Sequence, residues 1–139
     1  MNAVVRSEQG TGTAVAVLDL ISRAATDPNC DIDKMERLLQ MQERILDRNA
    51  ETEFNVAMTS AQGDMGPISR DASNPQTKSK YASYDKLDVV LRPIYVKHGF
   101  SISYDTGDSP KEDHVRVIAK VAHRAGHAKG LRVPGAMRN

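Results

Sequence analysis

Between Ser83 and Tyr104 the chain changes its hydrophobic period once, from 3.6 to 2, and marks the change with a glycine. Leu87, Val90, Leu91, Ile94 and Tyr95 recur at three- and four-residue spacing and line one face of a helix. Ser83 stands where an N-cap belongs, its hydroxyl able to take an orphan amide one turn on. Gly99 after His98 is a helix stop, and Phe100-Ser-Ile-Ser-Tyr104 then alternates apolar and polar as a half-buried strand does. An extended basic piece, Lys78 to Ala82, precedes the helix. Pro93 lies inside the helical pattern, so the spacing predicts a kink, or a helix ending near Leu91 and a new turn from Pro93.

The flanks follow from the same rules. Residues 1–13 are polar, contain two glycines and read as disordered; their Gly-Thr-Gly-Thr run lacks the Lys-Ser/Thr ending of a phosphate-binding loop. Val15 to Ala25 predicts a short amphipathic helix, broken by Asp27-Pro28-Asn29. From Asp33, paired with Glu36 as a capping box, a helical pattern runs through Met35, Leu38, Leu39, Ile45, Leu46, Phe54, Ala57, Met58 and Ala61 to Gly63. A helix of that length in a small domain packs across the domain or against a second copy. Gly63 to Ser83 predicts a β-hairpin with arms Pro67–Asp71 and Lys78–Ala82 and a long tip, Ile68 and Tyr81 anchoring the arms. After the strand come the polar turn Asp105–Asp113, a strand over Val115–Ala122, a turn at Arg124-Ala125-Gly126 and a third strand over Ala128–Val133. The expectation is an α+β fold: an antiparallel sheet built of hairpin, helix and three strands, preceded by a long N-terminal helical segment. Its divisions are a disordered start (1–13), a helical segment suited to oligomerisation (14–62), an α+β core (63–135) and a tail (136–139).

Charge is where composition matters. Residues 1–77 hold 7 Lys/Arg against 12 Asp/Glu, whereas residues 78–139 hold 12 against 6. The near-neutral total therefore hides an acidic front and a basic back, which suits an anionic partner for the back, head-to-tail contact between copies, or both. Trp is absent and aromatics are few, so the core rests on Val, Leu, Ile, Met and Ala. Cys30 is alone, excluding an internal disulfide and fitting a reducing cytosol. With no long apolar span or signal peptide, a cytoplasmic protein is the default.

Motifs for bond-making chemistry are missing. His123 and His127 are four apart, but a turn separates them and no Cys or carboxylate completes a metal set. Asp85 and Asp88 flank the start of the helix, where they favour its dipole better than they serve as paired catalytic acids. The acidic turn Asp105–Asp113 needs no ion to form. The sequence thus predicts no catalytic residue, no metal and no cofactor, and a protein that is not an enzyme.

The combination SKYASYDKLDVVLRPIYVKHGFSISY carries a resemblance. Lys80-Tyr81-Ala82, the Leu91-Arg92-Pro93 step inside the helix, Lys97-His98-Gly99 and the following strand resemble the ERF (essential recombination function) family of phage single-strand DNA annealing proteins. Met58-Thr59-Ser60-Ala61-Gln62 before Pro67-Ile68, and His123-Arg124-Ala125-Gly126-His127 after a later strand, add weaker support. The resemblance covers roughly residues 35–133; the family continues into a glycine-containing segment and a further helix with an aromatic-rich end, and this chain ends before them. It implies ATP-independent annealing in homologous recombination and DNA repair, by a recombinase acting as a homo-oligomeric ring or helical filament. A partner exonuclease and a single-strand binding protein are implied with it.

Annealing needs a surface that neutralises phosphates while leaving bases reachable, which Lys and Arg supply with strong salt dependence and an occasional aromatic supplements by stacking. The candidate DNA-binding residues are Lys78, Lys80 and Tyr81 on the extended segment, Arg92 and Lys97 on the helix, Arg116 and Lys120 on one strand face, and Arg124, Lys129 and Arg132 after it. Lys86, Lys111 and Arg138 read equally well as solubilising charges, Tyr81 as a core aromatic, and Tyr95 and Phe100 as core. Two other readings stand beside annealing. One is a self-assembling structural protein whose acidic helix docks on a neighbour's basic sheet. The other is a double-stranded RNA-binding-like module, which requires a closing helix that no residues after Val133 provide.

Overall fold

The computed structural model describes the backbone of residues 2–137 and the side chains of residues 12–132. Its elements are α1 (Asn2–Thr26), α2 (Ile32–Asp64), β1 (Ala72–Asn74), β2 (Ser79–Tyr81), α3 (Tyr84–Lys97), β3 (Phe100–Asp108), β4 (His114–His123) and β5 (Ala128–Met137). The architecture is α+β, with a two-stranded antiparallel hairpin, β1-β2, and a three-stranded antiparallel sheet in the order β3-β4-β5. Among the described residues, no helix is long and apolar enough to cross a membrane.

Two compact units divide the chain: Met1–Val56 with Ala125–His127, and Ala57–Arg124 with Ala128–Asn139. The boundary falls inside α2, not at its end as expected, because Met58, Ala61 and Met65 line a cleft with α3 and β3 in the second unit. Arg138 and the end of the expected tail lie outside the described residues.

In the first unit α1 begins at Asn2, so the segment expected to be disordered is helical backbone. Ala3, Val4, Val5, Glu8 and Gln9 tolerate a helix, and each glycine costs it only about 1 kcal/mol. The break at Asp27-Pro28-Asn29 holds: Asp27 Oδ1 accepts from the Asn29 amide at 2.9 Å. The cap of α2 is Asp31 and not Asp33. Its Oδ1 takes the Asp33 amide at 3.0 Å and its carbonyl takes the Met35 amide at 3.1 Å, leaving Asp33 to complement the dipole in the first turn. Ala14, Val17 and Phe54 are buried, Phe54 with its ring edge-on to His127 at 5.1 Å. Val15, Leu18, Leu20, Ile32, Leu39, Met41 and Leu46 remain exposed, far more apolar side chain than a helical unit ordinarily leaves in water.

In the second unit the hairpin is shorter than its sequence suggested. β1 starts at Ala72, after the expected first arm, because Asp71 is committed elsewhere: Oδ1 accepts the Ser83 amide and Oδ2 the Ser83 hydroxyl, both at 2.7 Å. Asn74 Oδ1 takes the Gln76 amide at 2.9 Å and closes a four-residue turn that ends on Lys78 in the left-handed region, φ 53°. Ser83 is the expected N-cap, its hydroxyl accepting from the Lys86 amide at 3.2 Å. Of the two expectations at Pro93, the helix end near Leu91 does not occur: α3 runs on through Pro93 to Lys97, and the carbonyl that loses its donor belongs to Val89, which is 72% exposed. Gly99 ends the helix with φ 82°.

The sheet strands outrun their expected ends. β3 continues to Asp108 through residues expected to be turn, since each of them pairs with β4, Asp105 with Ile118 and Gly107 with Arg116. β4–β5 pairing sets Val121 against Lys129, Ala119 against Leu131 and Ile118 against Arg132, with a bulge after Val117. Phe100 and Ala61 are the buried apolar residues of this unit among those described, and Tyr95 is half-buried.

Candidate nucleic-acid interface

Residues directly opposite in an antiparallel sheet share a face, so the register sorts the candidate cations. Phe100, Ile102 and Tyr104 of β3 share one face with Ala119, Val121 and His123 of β4 and with Lys129 and Leu131 of β5. Helix α3 covers part of this face. The opposite face carries Ser101, Ser103, Asp105 and Gly107, then Arg116, Ile118, Lys120 and Ala122, then Ala128, Gly130 and Arg132. Arg132 sits opposite Ile118, with Arg116 and Lys120 two residues to either side of that position. Three cations therefore surround the half-buried Ile118, with Ser, Gly and Ala at the other positions of the face; Lys120 and Arg132 are exposed and Arg116 half-buried. Among the described strand residues Asp105 is the one carboxylate on this face, and its Oδ1 already accepts the Thr106 amide at 2.8 Å.

The other seven candidates are placed elsewhere in the second unit. Lys129 lies on the α3-covered face. Lys78, Lys80 and Tyr81 belong to the hairpin, Lys80 opposite Ser73 and Tyr81 opposite Ala72, with Tyr81 exposed rather than core. Arg124 is tied to the helix stop: its amide donates to the Gly99 carbonyl at 3.0 Å, and a Cβ on residue 99 would meet Arg124 Cδ at 2.8 Å.

Arg92 and Lys97 are engaged by carboxylates. Arg92 holds Asp88 in a fork, Nε at 3.1 and 3.0 Å from the two oxygens and Nη2 at 2.8 Å from Oδ1, which raises the guanidinium pKa further. Asp88 is thus a partner for Arg92 one turn on, not simply a dipole residue. Lys97 Nζ is 3.3 Å and His98 Nε2 2.7 Å from Asp64 Oδ2, at the end of α2. These hydrogen bonds, His98 first and Lys97 second, hold the Asp64 carboxyl below its ordinary value. Asp71 is lowered likewise, by the Ser83 amide and then its hydroxyl.

Sequence reasoning passed over two features. Asp71 reads in the sequence as the end of a hairpin arm and Asp64 is passed over, and only the fold brings them to Ser83, Lys97 and His98, 12 to 34 residues away. Tyr84 and Tyr104 are 65% and 62% exposed at the mouth of an apolar cleft of about 420 Å³ between α3 and β3, with Met65, Leu91 and Ile102 along it. The strand alternation had placed Tyr104 with Phe100, which is correct for the face but not for the burial. Of the two histidines considered for a metal, His123 is buried with Nε2–H donating to the His98 carbonyl at 3.1 Å, and His127 packs on Phe54. Among the described residues no group of three or more His, Cys, Asp or Glu is placed to hold a metal ion.

The arrangement can bind a polyanion by its backbone. No family model, curated protein or solved structure matches the chain. The functional reading therefore rests on these residues and on the resemblance over roughly residues 35–133.

Proposed function

We propose that this protein binds and anneals single-stranded DNA without ATP, as a homo-oligomer in a phage recombination pathway operating in the bacterial cytoplasm. The observation that carries the reading is the cationic sheet face: Arg116, Lys120 and Arg132 around Ile118, with Ser, Gly and Ala beside them, on the side of the sheet that α3 does not cover. Phosphates are neutralised there without any pocket that would select a base, which is what annealing of arbitrary sequences demands. Lys78, Lys80 and the exposed Tyr81 extend the anionic contact on the hairpin, Tyr81 by stacking. Arg92 and Lys97, each already held by a carboxylate, contribute less than their positions in the sequence suggest. No bond is made or broken, so no catalytic group is invoked; a partner exonuclease would supply the single strands and a single-strand binding protein would compete for them.

The test is the double variant Arg116→Ala with Lys120→Ala, titrated with a labelled single-stranded oligonucleotide at several salt concentrations. Losing two phosphate contacts flattens the slope of log affinity against log salt by about 1.4, at about 0.7 per contact on single strands. An unchanged slope in a folded variant would refute this face as the DNA site.

A second reading, a self-assembling structural protein for which DNA is incidental, is favoured by one observation, the exposed apolar side chains of α1 and α2. The two readings part when the wild-type chain is titrated with the matching duplex as well, because a purely structural assembly binds single strands no better than duplex.

A further inference from the structure

The sheet has two open edges, and they match. The Arg124 amide donates to the Gly99 carbonyl, so Gly99 and Arg124 form a hydrogen-bonded pair, and by alternation Ser101, Ser103, Asp105 and Gly107 turn their backbone groups toward β4. Ile102, Tyr104 and Thr106 therefore turn theirs outward, along the edge of β3. The same count through β4 turns Lys129 and Leu131 inward and Ala128, Gly130 and Arg132 outward, along the edge of β5. The edge of β3 lacks the usual protection, and that of β5 has only the charges of Lys129 and Arg132, which an acidic edge would neutralise. β3, FSISYDTGD, contains no Pro, Lys or Arg, and β5 keeps its first Pro until residue 134. Residues 101–106 and 129–132 are all exposed.

We propose that β3 of one copy pairs with β5 of the next, side by side and parallel, so that the sheet continues from subunit to subunit. This deepens the assembly part of the proposed function and does not depend on its DNA-binding part. Charge chooses the partner: β3 carries Asp105 and Asp108 and no cation, whereas β5 carries Lys129 and Arg132 and no acid. Pairing like edges would oppose charges of one sign, and pairing unlike edges neutralises them. Direction follows from the meander. β3 and β5 run the same way within one copy, so a neighbour generated by rotation presents its β5 parallel to β3, a head-to-tail contact that closes a ring or grows a filament.

The faces then agree without adjustment. In a parallel pair, a residue whose backbone points across the join sits beside one whose backbone points away, both side chains on one face. Tyr104 beside the next copy's Leu131 meets that condition, each about 60% exposed in the single chain and each able to cover the other. Tyr104 then exchanges hydrogen bonds with the Gly130 and Arg132 backbone, and Asp105 falls opposite Arg132 on the other face. Beyond it the ladder ends, since the Thr106 amide is taken by Asp105 Oδ1 and Pro134 has no N–H to offer. With Arg132 facing the neighbour's Asp105, the Arg116 and Lys120 pairs of successive copies lie on one side of the continuous sheet and would repeat along a bound strand of DNA.

The test is a charge swap followed by sedimentation velocity on the full chain. Asp105→Arg and Arg132→Asp each oppose like charges at every join and are expected to weaken self-association at least tenfold, toward the 15.3 kDa single chain. Mixing the two variants, or combining both substitutions in one chain, restores assembly, which also shows that each variant folds. Tyr104→Pro removes an outward amide and no bond to β4, and gives the same loss. If wild type assembles and both single swaps assemble equally well, this interface is wrong while oligomerisation stands. A wild-type chain that stays at 15.3 kDa at every concentration overturns the interface and the oligomer together, and leaves DNA binding, read separately on Arg116→Ala with Lys120→Ala, to be judged alone.

Discussion

Gly99 is the residue on which the second unit turns. Its φ of 82° is a conformation that a Cβ disfavours, and the stem of Arg124 occupies the space a Cβ would need. Gly126 shares a positive φ, 108°, but has open space around it. Gly99→Ala is therefore expected to lower stability by about 2 kcal/mol and Gly126→Ala by about 1, a ranking that urea unfolding of the two variants checks. Titration at two carboxylates gives a second residue-level outcome. Asp64 and Asp71 both have lowered pKa values in the fold, so the unfolded chain takes up their protons first as pH falls. Their contribution is complete above the ordinary carboxylate range and disappears as pH drops through the lowered values. Asp71→Asn and Asp64→Asn should thus make the chain less stable at neutral pH, with the gap to wild type closing in thermal melts as pH falls below the ordinary carboxylate range.

At the scale of elements, α3 shows why some features were legible and others not. Ser83 as cap, the apolar stripe from Leu87 to Tyr95 and Gly99 as stop act over one turn or less, and local rules found each of them. Ser83→Ala should cost about 1 kcal/mol as a lost cap, and more than an isolated cap does, because Asp71 loses the same hydroxyl; thermal unfolding with an Asp71→Asn double-mutant cycle measures that coupling. Pro93 predicts a kink or a break because proline removes a donor from the helix, and the break does not occur where the carbonyl left over belongs to the exposed Val89. The first arm of the hairpin was misplaced for the opposite reason. Asp71 looked like the end of a strand, and its carboxylate was already bonded to Ser83, twelve residues on. Of the candidate site, the alternation of Val115 to Ala122 correctly put Arg116 and Lys120 on one face. The same alternation could not show that Arg92 and Lys97 are held by Asp88 and Asp64, the latter pairing spanning more than thirty residues.

For the whole molecule the distribution of charge and of apolar surface argues together for assembly on a polyanion. The acidic first half carries exposed Val, Leu, Ile and Met on its helices, and the basic second half carries a flat cationic sheet face with open, oppositely charged edges. Buried apolar residues are few in each unit among those described, so covering the remaining apolar surface by neighbouring copies is the larger source of stability still to be gained. We propose that copies of the chain, assembled, grip single strands through their phosphates. The most direct measurement of that grip is the affinity of the wild-type chain for a fluorescent single-stranded oligonucleotide and for the matching duplex across a salt series. Tighter binding to the single strand, falling linearly on a log-log plot as salt rises, is the predicted result; equal or better binding to duplex, or no binding at low salt, would contradict it.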